Sequence, residues 1–589
     1  MNKLKSFLER QIEFLKKDYI FIITVFILII AYSQVLRYSI GAISIILTGF
    51  ILYLCFRNLA SFLDKKLSVN KKTLIQKVIL IFIIVLLFIG GALLYFENLD
   101  ADPDTSLSWS RAFYTDEGFK AGNAVNKYLN DEWLTQSHNN ILAYPLMYFI
   151  LYGFFKVFGM SLLIGRLPVT ILSVLIIITL IIFLIKRYGL NNKDTLKHIL
   201  LLLFLIIFNY YFYIYSRIIF VDLPMASLGF FGLLLFYFAN KSDNVIKKYI
   251  LFIFVAIFFT LSYLAKNSGI IFIIGIIFIF IIKLIIERKI NKKLLIGTVV
   301  TILLTIAFIY ISFEYINNML DNHITQQLHE SISGRIDNIT QKGNTGVIAN
   351  IITNYLNFFD NPLIERYLIL ILISIFNIIL ILIQGFKHKK INFIDTIFIA
   401  LTISAYGTIC FFDYQPPRYF TIFIIPMVYF LATLPKNILK LDIVNRKELY
   451  KDILKYSFFT FFVIFFILQQ AYEVAVITKE FSNPDYTIKK TAEKIKEDIK
   501  KDKNRNTSLD NVYVCSLKED PIAGVFSLEN HLNFVHEYRK DEENRCKNQY
   551  IIYKSNVKSV KPIGTYTFLG ERKYLYKEEE FRKSYFDKK

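Results

Sequence analysis

Residues 141–158 read ILAYPLMYFILYGFFKVF. A bilayer needs roughly 20 apolar residues per helix, so this stretch is apolar enough to cross, and whether it does decides the topology of everything after it. If it crosses, Lys186 and Arg187 fall outside and every later basic loop inverts. If it stays on the outer face, the basic N-terminus and all the basic loops share one side. Those loops carry Lys65, Lys66, Lys71 and Lys72, then Lys186 and Arg187, Lys241 to Lys248, Arg288 to Lys293, Lys387 to Lys390, and Lys436 to Lys455. The cytoplasmic excess of Lys and Arg selects the second arrangement. The stretch is then an in-plane or re-entrant helix, shielded by protein or lying at the interface.

Working outward, the apolar runs predict helices near 19–36, 40–56, 78–96, 163–185, 197–215, 223–240, 249–265, 269–286, 294–313, 365–385, 394–412, 418–434 and 454–474. The fold class expected is an all-α polytopic membrane protein of about 13 spans, with a small α/β domain at its C-terminus. The composition agrees. Hydrophobic residues make up 55% of the 589, where a soluble domain carries about 45–50%. The net charge of +21 lies at helix ends and in the tail, and no basic patch interleaved with stacking aromatics stands apart from that pattern, so no nucleic-acid partner is expected. The N-terminal stretch is not read as a signal peptide.

Three regions are expected outside the cytoplasm: loop 97–162, loop 314–364 and the tail 476–589. The tail holds an amphipathic candidate, TIKKTAEKIKEDIKKD (487–502), then strand-like NVYVCS (511–516), QYIIYKS (549–555), GTYTFLG (564–570) and KYLYK (573–577). Domain boundaries are placed at 1–77, with two extra helices, 78–475 for the main membrane body, and 476–589. Cys515 and Cys546 both lie in the tail, where a disulfide is chemically permitted. Neither the cysteines nor the histidines show metal-ligand spacing, so no metal is expected. The tyrosine-rich NYYFYIYS (209–216) reads as an interface belt.

Charged residues at a membrane boundary are expensive unless paired or used. The proposed topology brings several to the outer side: Asp116 and Glu117, Arg166, Arg217 and Asp222, Lys266, and Arg418 with Tyr419. They suggest a convergent site for an anionic ligand beside a carboxylate. Each also has a plainer reading. Arg166, Lys266 and Arg418 suit snorkelling interface residues, Arg217 and Asp222 suit a local pair, and Asp116 and Glu117 suit a solvated or capping pair.

The block DEGFKAGNAVNKYLNDEW (116–133), YPLMYFILYGFFKVFG (144–159) and SLLIGRLPVTILSVLII (161–177) resembles the first outer loop and following helix of the GT-C membrane glycosyltransferases. That family includes protein O-mannosyltransferases and lipid A aminoarabinose transferases. YSRIIFVDLP (215–224), LAKNSG (264–269) and PPRYFTIFIIP (416–426) follow in matching order, so the resemblance covers about residues 78–435. It implies a sugar donor on a polyprenyl phosphate, an extracytoplasmic acceptor, inversion at the anomeric carbon and no cofactor. It carries the acidic loop motif onto Asp116, with Glu117 beside it, and phosphate contacts onto Arg418 and Lys266. Arg166 matches the helix-opening arginine, while Arg217, Asp222 and Tyr419 remain further site candidates. One departure stands out. Where many members have His-Pro-Pro or Lys-Pro-Pro, this chain has Ala143-Tyr144-Pro145. The alternative of a different class is a transporter or flippase for a lipid-linked or anionic solute. Against it, the sequence shows no internal repeat, and its charges sit at the boundary rather than mid-span.

Overall fold

The computed structural model describes residues 69–101, 112–131, 133, 141–189, 193–320, 362–409, 417–439, 473, 477, 486–501, 513–516, 533–535, 549–553, 556–557, 559–568 and 571–585. The expected helices at 19–36, 40–56 and 454–474 lie outside the described residues, apart from Glu473.

The protein is mostly helical. Helix α1 (Val69–Phe96) is followed by α2 (Ala112–Asn130), α3 (Pro145–Phe158) and α4 (Leu162–Tyr188). Next come α5 (Lys193–Ile207), α6 (Tyr210–Ser216), α7 (Asp222–Lys241), α8 (Val245–Ala265), α9 (Ile270–Glu287) and α10 (Lys292–Met319). Helices α11 (Pro362–His388), α12 (Phe393–Ile409) and α13 (Thr421–Leu439) complete the membrane body. Among the described residues, six helices are long and apolar enough to span, or seven if the bent pair α5–α6 counts as one. Helix α3 has 14 residues, about 21 Å at 1.5 Å per residue, too short to cross a 30 Å core unaided. Pro145 starts it at the first helical position, and Met147, Tyr148, Leu151 and Phe155 bury one face against the body.

Small residues let the spans approach closely. A Cβ on Gly229 would sit 2.1 Å from the Phe272 ring, and one on Gly232 would sit 2.6 Å from the Phe259 ring. Lipid gives little hydrophobic drive between helices, so such van der Waals fit carries the association of α7 with α8 and α9. One end of the bundle is closed by a partly buried ion pair. The Arg187 guanidinium donates to both oxygens of Asp395 at 3.1 and 2.7 Å, and the Tyr429 hydroxyl donates to the same carboxylate at 2.6 Å.

The span expected at 197–215 is broken. It bends by 66° between α5 and α6. Several backbone groups freed by the break find partners, as burial requires. The Tyr95 hydroxyl donates to the carbonyls of Ile206 and Ile207 at 3.3 and 3.2 Å. The Asn209 side chain accepts from the Phe212 N–H at 3.0 Å as an N-cap. The Glu473 carboxylate accepts from the Tyr210 N–H at 2.9 Å and from the Tyr367 hydroxyl at 2.8 Å. Tyr210, Tyr211, Tyr213 and Tyr215 are buried in protein. They do not form the interface belt expected of this stretch, because the bend turns α6 inward.

The C-terminal region forms a five-stranded mixed sheet ordered β2-β1-β3-β5-β4. The strands are β1 (Tyr513–Ser516), β2 (Asn533–Val535), β3 (Tyr550–Tyr553), β4 (Gly564–Phe568) and β5 (Glu571–Lys577). β1 pairs parallel to β2 and β3, while β5 pairs antiparallel to β3 and β4. Helix α14 (Thr487–Lys501) turns Ile495 and Ile499 inward, and its Asp498 accepts from the Tyr566 hydroxyl of β4 at 2.7 Å. Helix α15 (Glu578–Tyr585) buries Phe581 against Tyr553 and Tyr576. Cys515 is buried and disulfide-bonded. Its partner, and with it Cys546, lies outside the described residues.

Candidate active site

Two arginines proposed from the sequence turn out to be tied into the scaffold. Arg166, at the start of α4, grips Glu117 of α2 in a two-pronged pair: Nε to Oε1 at 2.7 Å and Nη2 to Oε2 at 2.8 Å. Its Nη1 donates to the carbonyls of Leu99 and Ala101 at 2.7 and 2.6 Å. Glu117 also accepts from the Ile219 N–H at 2.9 Å. Both side chains are fully buried, at 3% and 1% exposed. This knot joins α2, α4, the segment after α1 and the turn before α7. Arg217 donates to the carbonyls of Leu94, Tyr95 and Asn98 at 2.8, 3.2 and 2.9 Å. It therefore caps the C-terminal end of α1, where a cation complements the free carbonyls. It is not paired locally with Asp222.

Asp222, Lys266 and Tyr419 do come together, in a recess of about 110 Å³. Asp222 is the first residue of α7, and Lys266 is the C-cap of α8. Tyr419 lies in the short 3-10 turn Pro417–Phe420 that leads into α13. Lys266 pairs with Asp222 Oδ1, and its ammonium lies 3.8 Å from the Tyr419 ring centroid. Asp222 Oδ2 is buried with no hydrogen-bond partner among the described residues. The turn that carries Lys266 is held against α8. A Cβ on Gly269 would sit 2.6 Å from the Ser262 carbonyl carbon and 2.7 Å from its oxygen, so the close approach needs glycine.

Tyr144 completes the recess. It precedes Pro145 as the N-cap residue of α3. Its hydroxyl accepts from the Lys120 ammonium of α2 at 2.7 Å. Burial alone would raise this phenol, but the Lys120 and Lys266 ammonium groups pull it below the usual phenol range. The recess thus presents one lysine, one carboxylate and two phenols, with the Lys120 ammonium held against the Tyr144 hydroxyl, a set suited to an anion attached to a hydroxyl-rich group. Position 116 lies in α2, one turn before Lys120, and Arg418 lies in the same 3-10 turn as Tyr419. Their side chains lie outside the described residues. Among the described residues, no three of His, Cys, Asp and Glu gather as metal ligands would.

Tyr144, which lines the recess, and Lys120, which donates to its hydroxyl, were not singled out as site residues from the sequence. Tyr144 was visible only as a departure from a triplet motif. Lys120 carried the spacing signal of a helix neighbour four residues past Asp116.

Comparison with known proteins places the fold. Residues 143–311 match the family model described as dolichyl-phosphate-mannose-protein mannosyltransferase. The chain has the GT-C fold seen in the crystal structure of ArnT from Cupriavidus metallidurans in the apo state. The two share 12% identity over 83% of this chain and 97% of that one, with a TM-score of 0.53. ArnT bound to undecaprenyl phosphate gives the same figures. The Archaeoglobus fulgidus oligosaccharyltransferase is similar at 14% identity, over 77% of this chain and 62% of that one, with a TM-score of 0.46. No curated protein matches the sequence.

Proposed function

We propose that this chain is a membrane glycosyltransferase. It moves a sugar from a polyprenyl phosphate to an extracytoplasmic acceptor, with inversion at the anomeric carbon. One observation carries the reading: the recess formed by Tyr144, Asp222, Lys266 and Tyr419 lies where segments from distant parts of a GT-C fold converge.

In this reading the acceptor hydroxyl attacks the anomeric carbon from the side opposite the phosphate. The bond between that carbon and the phosphate oxygen breaks, and its electron pair stays on the phosphate. Lys266 and Arg418 stabilise the charge that builds there, a preorganised electrostatic role. Asp116 takes the acceptor proton as general base. If the acceptor is itself a phosphate, no base is needed and Asp116 only positions it. Glu117 and Arg166 act on catalysis through place rather than contact, by fixing the start of α2 beside the recess. A single displacement of this kind inverts the anomeric centre.

The active site and the domain at 476–589 face away from the cytoplasm in this account. The loop-charge pattern supports that orientation, and a disulfide at Cys515 suits an oxidising compartment. Mass spectrometry of cell-envelope glycans from cells with and without the protein tests the reading. A sugar substituent missing only in its absence, and restored by the wild-type chain but not by Lys266→Gln, supports it. Identical glycan profiles count against it.

A further inference from the structure

Lys266 lines the recess, yet its ammonium is already engaged. Asp222 holds it on one side and the Tyr419 ring lies beneath it. Asp222 spends only Oδ1 on this pair. Its Oδ2 faces no partner among the described residues, in a residue only 4% exposed. A buried carboxylate oxygen left unpaired is unfavourable, and in native proteins such an atom calls for an explanation such as a missing ligand or a catalytic role. Its position in the wall of the recess points to a ligand group that completes it.

We propose that Asp222 is the resident counter-ion of the recess: it holds Lys266 when the recess is empty, yields it to the phosphate of a lipid-linked ligand, and reclaims it to expel the spent carrier. The identity of that ligand rests on the glycosyltransferase reading. The exchange rests on charge, because one ammonium neutralises one anion and a carboxylate and a phosphate beside it compete for that charge. Once Lys266 turns to the phosphate, both Asp222 oxygens are free to accept hydrogen bonds from sugar hydroxyls next to it. The donor phosphodiester carries one negative charge. After transfer the carrier is a monoester phosphate with a second ionisation near pH 6, so at neutral pH it carries roughly one charge more. It has also lost the hydroxyls that satisfied Asp222. The carboxylate therefore tolerates the donor and repels the product, which makes it a positioning residue for release as well as for binding.

The test uses the full-length protein in detergent and undecaprenyl phosphate as the probe. Dissociation constants are measured for the wild type, Asp222→Asn, Lys266→Gln and the double variant, each checked for thermal stability. Removing the competing anion should tighten undecaprenyl phosphate binding by roughly tenfold in Asp222→Asn. That gain should vanish in the double variant, because it is Lys266 that is set free. Tighter product binding should also appear as stronger product inhibition of turnover. If Asp222→Asn fails to fold, Asp222→Ser is read in the same way. Unchanged or weaker binding in a variant of wild-type stability overturns the proposal and leaves Asp222 as a structural salt-bridge partner. If the wild type shows no saturable binding, the glycosyltransferase reading falls, and the proposal with it.

Discussion

Replacing Arg166 with Met separates scaffold from ligand contact. Arg166 donates two hydrogen bonds to Glu117 and two to the carbonyls of Leu99 and Ala101. Arg166→Met keeps the stem and the bulk but removes all four. Glu117 is left buried and charged, and among the described residues only the Ile219 N–H still donates to it. Breaking one side of a buried pair in this way costs about 3–5 kcal/mol. The expected result is a fall of several degrees in the thermal unfolding midpoint of the solubilised protein, measured by intrinsic fluorescence. Arg166→Lys keeps the charge but cannot fork to the carboxylate and reach two carbonyls, so it should lie between wild type and Met. The double variant Glu117→Leu/Arg166→Met should recover part of the loss, because the stranded charge is gone. The reasoning is refuted if Arg166→Met unfolds at the wild-type temperature while losing affinity for undecaprenyl phosphate. Arg166 would then be a phosphate ligand, and the knot with Glu117 would contribute little to stability.

Further consequences can be measured directly. Gly269→Ala forces a methyl against the Ser262 carbonyl, so it should lower stability by about 1–3 kcal/mol and displace the Lys266 turn, seen as weaker undecaprenyl phosphate binding. Tyr144→Phe removes the acceptor of the Lys120 hydrogen bond and should reduce kcat/KM by roughly tenfold with the fold intact; an unchanged value would remove Tyr144 from the site. Asp116→Asn should lower turnover by about 100- to 10,000-fold while retaining donor binding, the usual range for loss of a general base, and transfer to a hydroxyl acceptor at the wild-type rate would refute that role. Lys501 is exposed on α14, so Lys501→Cys should react with a membrane-impermeant maleimide on intact cells; labelling only after lysis would put the C-terminal domain in the cytoplasm.

Much of the membrane body is legible in the sequence, because a span must be apolar over about 20 residues. The runs at 163–185 and 294–313 fall inside α4 and α10 as described. The break after Ile207 is not legible in the same way. It depends on Asn209 as a local cap and on Tyr95 and Glu473, more than a hundred residues away on either side. The strands around Tyr513, Tyr550, Thr565 and Tyr574 announce themselves by alternating aromatic and β-branched residues. β2 has only three residues, Asn533–Val535, at the sheet edge, too few to show a period. In the site, charge and position in the topology pick out Asp222, Lys266 and Tyr419 together. Charge alone cannot separate an arginine that waits for a ligand from one, like Arg166, already saturated by a carboxylate and two carbonyls.

The most direct test of the central claim is turnover by the purified protein in proteoliposomes supplied with undecaprenyl-phosphate sugars labelled in the sugar. The account predicts that label leaves the lipid for an acceptor or for water, that free undecaprenyl phosphate appears in equal amount, and that both signals are lost in Lys266→Gln. Label that remains lipid-linked and merely changes leaflet would contradict the account and make the protein a flippase.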